Sequence, residues 1–374
     1  MEVLRVYVNV TGCHEVVSEK QTVRMLPFGG TCDGPFFKGT ILSGGVDTQK
    51  VDETGEGTLS ARYMIEGVDC KGNSCKLFIE NSALAGGNVT TPDIVTDSPE
   101  LKWLETADLQ GRIETIDGQL TIIIDMVGAQ EDTVGMSESS VLIFEDKVCK
   151  IEKFCEASDR EYQVMQWLKG KLPVPKVLCR GQKEEKNYLL MSKLPGKMSC
   201  DEEYMRQPEL LAEALAEGLK MLWNVDISAC PYSANLDEKL RMAKYNVEHG
   251  LVDVNNVEPE TFGPNGFVNP QALLEWLENN RPEEELVFSH GDYCLPNVFL
   301  ADGKVSGFLD LGRAGVADKY QDIALCYRSF LHNYDGKYGG GSYGDVNPEI
   351  IFEKLNIKPD WEKVRYYILL DELF

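Results

Sequence analysis

Three residues in the second half of the chain have the types and spacing that phosphoryl transfer requires. In the stretch VFSHGDYCLPNVFLADGKVSGFLDLG, residues 287–312, His290-Gly291-Asp292 is followed by Asn297 and then by Asp310-Leu311-Gly312. One carboxylate can orient an acceptor hydroxyl and take its proton. A second carboxylate and an amide oxygen can hold Mg²⁺ against phosphates, because this small hard cation prefers oxygen ligands. Asp292 suits the first role, and Asn297 with Asp310 suits the second. Asp302-Gly303 between two apolar runs predicts a β-hairpin. Its strands would hold Asn297 and Asp310 near each other, with Asp292 on the loop just before.

From about Gly135 to the closing YYILLDELF, this pattern resembles the aminoglycoside 3′-phosphotransferases, antibiotic kinases with a protein-kinase-like fold. Only RAGVADKYQ separates Gly312 from the helical run at Asp322, which leaves little room for a peptide platform and favours a small-molecule hydroxyl. On the nucleotide side, the resemblance implies that Gly135, Met136 and Ser137 arch over the phosphates and that Lys150 contacts them. Lys147 and Lys153 compete with Lys150 when the residues are read alone. The resemblance further implies that Glu161 pairs with the strand lysine and that backbone groups of Ser192 and Leu194 meet adenine. The implied cofactors are ATP, with GTP as the alternative, and Mg²⁺. On the acceptor side it implies an acidic loop with Glu258 and Glu260, and then Asp371, Glu372 and the terminal carboxylate of Phe374. Arg313, next to Gly312, is read as sitting beside the phosphates or a substrate carboxylate partner, and Arg328 as a further substrate contact. The chain departs from the family where His332 and Asn333 replace an acidic pair, followed by the polar insertion NYDGKYGGGSYGDVN.

Helices must support this set. Ser158 suits the N-cap of a helix running to Gly170, Asn235 with Glu238 suits a capping box, and Asn269-Pro270 and Asp360 suit further starts. Leu211, Leu215, Leu219, Leu222 and Trp223 recur at the spacing of a buried helix face. Asp322 is expected to open the helix DIALCYRSF and to brace the catalytic loop.

Residues 1–127 read as short strands. LRVYVNV alternates with the period of a half-buried strand, and FFKGTIL, TLSARYMIEG, KLFIEN and LTIIIDMV follow. Gly29-Gly30, Gly44-Gly45, Lys71-Gly72-Asn73 and Asp117-Gly118 are read as turns. Many short strands with glycine-rich turns predict an antiparallel barrel or sandwich. GPFFKGTILSGGVDTQ, LSARYMI and PELKWLETADLQGR resemble a family of small bacterial β-barrel proteins of unknown function. Asp47, Gln49, Arg62 and Tyr63 are read as turn and surface residues of the barrel or, less favoured, as facing a cavity. The expected class is α+β: an N-terminal antiparallel β-barrel (1–127), a β-rich small lobe (130–196) and a helical large lobe (197–374).

Composition narrows the partners. Of 374 residues, 43% are hydrophobic and 26% charged, as in an ordinary globular chain, and the net charge is −24. Such acidity disfavours nucleic acid and anionic membranes and favours a cationic small molecule. The eleven cysteines are scattered, and neither a basic leader nor a membrane-length apolar run is evident, so reduced thiols and a cytoplasmic location are expected. Cys70 and Cys75 in DCKGNSC are read as part of a turn rather than a metal site. The expected function is ATP-dependent phosphorylation of an aminoglycoside hydroxyl, the 3′-OH, conferring resistance. One alternative is a kinase of another hydroxylated amine; a second is a ligand-binding barrel carrying a vestigial kinase. Sequence gives no oligomeric state.

Overall fold

The computed structural model describes residues 1–132, 139–338 and 341–374. The chain divides into two compact units: residues 1–154 with 177–193, and residues 155–176 with 194–374.

The first unit begins with ten strands: β1 (Glu2–Val10), β2 (His14–Val17), β3 (Gln21–Asp33), β4 (Phe37–Ile41), β5 (Val46–Asp52), β6 (Gly57–Asp69), β7 (Ser74–Leu84), β8 (Val89–Thr96), β9 (Leu109–Ile116) and β10 (Gln119–Met126). They pair in the order β1-β10-β9-β8-β7-β6-β4-β3, and β3 pairs back to β1, which closes an antiparallel barrel. Closure removes the exposed edges that an open sheet would present. Alternation sets the lumen. In β6, Ala61, Tyr63 and Ile65 are buried, whereas Arg62, Met64 and Glu66 face out, with Arg62 paired to Glu80. Asp47 and Gln49 sit half-buried on β5, hydrogen-bonded to each other at 2.8 Å.

Gly29-Gly30 is not a turn. Both glycines lie inside β3, and Gly30 has φ +141° with its missing Cβ only 1.9 Å from the Tyr7 carbonyl oxygen. A side chain there would block the approach of β1, so the glycine marks strand closure rather than reversal. Lys71-Gly72-Asn73 and Asp117-Gly118 do turn the chain as expected.

A second sheet follows in the same unit: β11 (Gln130–Asp132), β12 (Ser140–Ile143), β13 (Lys147–Lys153), β14 (Val177–Lys183) and β15 (Lys186–Ser192), in the order β11-β12-β13-β15-β14. Its core is continuous with that of the barrel: Phe144, Cys149, Cys179 and Leu190 belong to one buried apolar cluster with Val6, Ile65, Leu77 and Ile124. At the seam, Phe36 meets Trp103 and Tyr188 edge to face at 5.4 and 6.1 Å. An added Cβ on Gly181 would lie 2.0 Å from the Pro35 carbonyl oxygen, and Lys183 reaches Glu2 at 2.9 Å. Cys70 of the barrel is disulfide-bonded to Cys179 of the sheet. The expectation of uniformly reduced thiols fails for this pair, because the fold brings together two sulfurs separated by 109 positions.

The second unit is mainly helical: α1 (Glu156–Leu168), α2 (Glu202–Met205), α3 (Pro208–Trp223), α4 (Leu236–Glu248), α5 (Pro270–Asn279), α6 (Lys319–Asp335), α7 (Ile350–Leu355) and α8 (Trp361–Asp371). Leu211, Leu215, Leu219 and Leu222 line the buried face of α3. Asn235, Asn269 and Asp360 cap α4, α5 and α8 as expected. Two starts differ. Cys155, not Ser158, caps α1, and Ser158 answers from the third position in a reciprocal capping box. Asp318, not Asp322, caps α6, so Asp322 lies one turn inside. Short strands β16 (Lys197–Met198), β17 (Leu286–Ser289), β18 (Val298–Ala301), β19 (Lys304–Phe308) and β20 (Gly315–Asp318) carry the loops of interest. Among the described residues, no helix is long and apolar enough to cross a membrane.

Candidate active site

The Asp302-Gly303 turn forms with both residues at positive φ, +51° and +72°, and joins β18 to β19. Val298 pairs with Phe308, and the Leu309 amide donates to the Asn297 carbonyl at 2.9 Å. The hairpin therefore places Asn297 and Asp310 at its open end, as the spacing predicts. Asp310 is exposed and itself adopts φ +55°.

Asp292 is half-buried and fixed from two sides. Asn297 Nδ2 donates to Asp292 Oδ2 at 3.1 Å and to its carbonyl at 3.0 Å, and Cys294 Sγ donates to Oδ1 at 2.9 Å. Burial, with Asp292 alongside, pushes the Cys294 thiol well above its ordinary range, so it remains a donor. With the Asn297 amide nitrogen committed to Asp292, its Oδ1 is the atom available as a hard oxygen ligand. That oxygen and the Asp310 carboxylate suit Mg²⁺, whose other ligands are usually phosphate and water oxygens.

The loop is anchored from below. Asp322, fully buried, accepts the His290 and Gly291 amides at 2.7 and 2.9 Å. Burial raises its carboxyl above the ordinary value, against the pull of His290 and these two N–H groups. It braces the loop from inside α6. Gly291 has φ +83°, and a Cβ there would lie 2.2 Å from the Arg313 carbonyl oxygen. The Tyr293 hydroxyl donates to Leu215 in α3 at 2.8 Å, and Ser329 of α6 accepts the Leu295 amide at 3.0 Å.

A second set of charges adjoins the first. Arg328 is half-buried and paired with Asp371 and with Glu372, the latter at 3.2 Å. Arg313 approaches Asp371 at 3.4 Å and lies over the Phe374 ring at 5.7 Å. Burial works to raise the Asp371 carboxyl, and the guanidinium groups of Arg328 and Arg313 outweigh it and hold the group below its usual range. Burial raises Glu372 to about 7 despite Arg328. Glu372 also accepts the Glu258 amide at 3.0 Å, which ties the acceptor loop to α8. Glu260 is exposed and takes no part in these contacts among the described residues.

Spacing alone does not reveal three other members of this region. Lys239 of α4 is buried, 5.0 Å over the Phe374 ring; burial and the nearby Arg313 lower it to about 8, against Asp371 and Asp292. His332 and Lys337 both contact Glu258. Such tertiary pairings leave no mark in the local sequence.

Of the residues expected on the nucleotide side, some fall in the first unit and some in the second. Lys150, in β13 of the first unit, pairs in register with Val141 and Leu189, and its ammonium lies 3.6 Å from Glu152. Lys147 is instead held by Asp146, and Lys153 is exposed. Ser192 ends β15 opposite Lys147. In the second unit, Glu161 is buried in α1, and the Leu194 side chain packs over Gly307, within 2.5 Å of where a Cβ would stand. Gly135, Met136 and Ser137 lie outside the described residues.

Residues 147–349 match the phosphotransferase enzyme family. The chain belongs to this family. Relatives of the phosphotransferase include the aminoglycoside 3′-phosphotransferase of Enterococcus faecalis, 42% identical over 69% of this chain and 98% of the relative. That of Staphylococcus aureus is 40% identical over 69% and 98%. A solved aminoglycoside phosphotransferase of Streptomyces rimosus superposes with a TM-score of 0.57 at 25% identity, over 66% of this chain and 92% of that one, and has also been determined with ADP and streptomycin. Residues 2–79 match a family described as protein of unknown function (DUF3237).

Proposed function

We propose that the phosphotransferase moves the γ-phosphate of ATP to a hydroxyl, the 3′-OH, of an aminoglycoside. The observation that carries this reading is the Asp292 carboxylate, held by Asn297 and Cys294 beside the hairpin end that bears Asp310. An acceptor hydroxyl donates its proton to Asp292 as its oxygen bonds to the γ-phosphorus, and the bond to the β-γ bridging oxygen breaks to leave ADP. Mg²⁺, when bound by Asn297 Oδ1 and Asp310, supplies neutralising charge for the phosphate oxygens. Lys150 is the proposed phosphate cation of the first unit. Glu161 is proposed to orient it, and the backbone of Ser192 and Leu194 to meet adenine. Asp371, Glu372, Glu258 and the Arg313–Phe374 stack are the proposed acceptor contacts, because carboxylates form strong charge-assisted hydrogen bonds with ammonium groups. The added phosphate, close to a dianion at neutral pH, would repel the drug from an anionic RNA target, which is the route to resistance.

The test is release of ADP by the full chain with a panel of aminoglycosides, with and without Mg²⁺, and with ATP or GTP as donor. Acceptor-dependent ADP release that requires Mg²⁺ is expected. Release that is indifferent to every acceptor would contradict the proposal.

A further inference from the structure

The carboxylates of the proposed acceptor site are already partnered from within the chain. Glu258 Oε1 faces His332 Nε2 at 2.8 Å, and Glu258 Oε2 faces Lys337 Nζ at 2.7 Å. The other ring nitrogen of His332 meets Asp335 at 3.0 Å, and the Asp335 Oδ1 accepts the Lys337 amide at 2.8 Å. The Tyr338 ring packs edge-on against the imidazole at 5.3 Å, which fixes its plane. Glu372, which accepts the Glu258 amide, is held with Asp371 by Arg328. Glu258, Asp371 and Glu372 thus each have a basic side chain against them.

We infer that Lys337, seated on Glu258 beside His332, is a built-in competitor for acceptor amines, and that it narrows the acceptor range toward aminoglycosides with few amino groups. This rests on the aminoglycoside reading above. An incoming ammonium gains little by exchanging for Lys337, since one charge-assisted contact replaces another. Further ammonium groups that approach Asp371 and Glu372 meet Arg328, Arg313 and Lys239 there, and like charges brought together at an interface select against the wrong partner. The Glu258 and Lys337 side chains are 25% and 36% exposed, so the pair is accessible to ligand and only partly screened.

The test compares KM and kcat of the full chain, Lys337→Met and Lys337→Arg with aminoglycosides graded by amino-group number, read by ADP release. Lys337→Met should lower KM about threefold to fivefold for the acceptor richest in amines and progressively less for poorer ones, with kcat little changed. Lys337→Arg, which keeps the charge, should behave as the unaltered chain. A KM that stays constant in Lys337→Met, or shifts equally for every acceptor, would overturn the inference. If the unaltered chain turned over no aminoglycoside, the aminoglycoside reading would fall and the inference with it, a result distinct from turnover with an unmoved KM.

Discussion

At the scale of single residues, the loop that carries Asp292 depends on a buried anchor. Asp322 accepts two buried amides from the loop, so Asp322→Ala leaves two donors without a partner. Each unsatisfied buried donor costs about 1–3 kcal/mol, so urea unfolding should show a loss of about 2–6 kcal/mol for the two, with turnover falling in parallel. A variant of unchanged stability would show that the brace carries no weight. Glu372 has a pH signature of its own. Its folded value of about 7 stands above the ordinary carboxylate value of 4.5, so between these limits the folded state holds a proton that the unfolded chain releases. Stability contributed by this group is therefore lost as pH rises from 4.5 through 7. Melting temperatures of the unaltered chain and Glu372→Gln, compared from pH 5 to pH 8, should shift in favour of Glu372→Gln as pH rises. A difference that is flat in pH would contradict the assignment.

At the scale of elements, what could be read in advance was what a few neighbouring residues decide together. Asp302-Gly303 fixes a two-residue turn, and the register it sets puts Asn297 opposite Leu309, the neighbour of Asp310. Asn235, Asn269 and Asp360 cap their helices because the capping oxygen and the amide it receives lie three residues apart. Cys155 carries no local cap signal, because a thiol is a poor acceptor and seldom caps a helix; here Ser158 completes the exchange by bonding back. Gly30 sits inside a strand rather than a turn for a different reason. Its glycine answers to the distant β1 backbone, which no local pattern announces. The same holds for Lys239, and for Lys337 on Glu258, whose partners come from other elements. The seam between the barrel and the small sheet is another such feature. Phe36, 2% exposed, sits between Trp103 and Tyr188, so Phe36→Ala should cost about 3–5 kcal/mol in a denaturant titration. A loss below about 1 kcal/mol would mean that this packing contributes little.

At the scale of the whole molecule, the barrel and the five-stranded sheet share a hydrophobic core, a disulfide and an ion pair, so they are one folding unit. Removing residues 1–127 would uncover apolar side chains such as Cys149, Cys179 and Leu190. The shortened chain is expected to aggregate or to lose nucleotide affinity, measured by gel filtration and ATP binding. A monodisperse, fully active fragment would show instead that the barrel is a separable module. The proposed chemistry turns on one carboxylate. Asp292→Ala should bind ATP as the unaltered chain does, by equilibrium titration, while its acceptor-dependent release of ADP falls by about 10²–10⁴, the usual contribution of a positioned base. Unchanged turnover by Asp292→Ala would contradict the central claim.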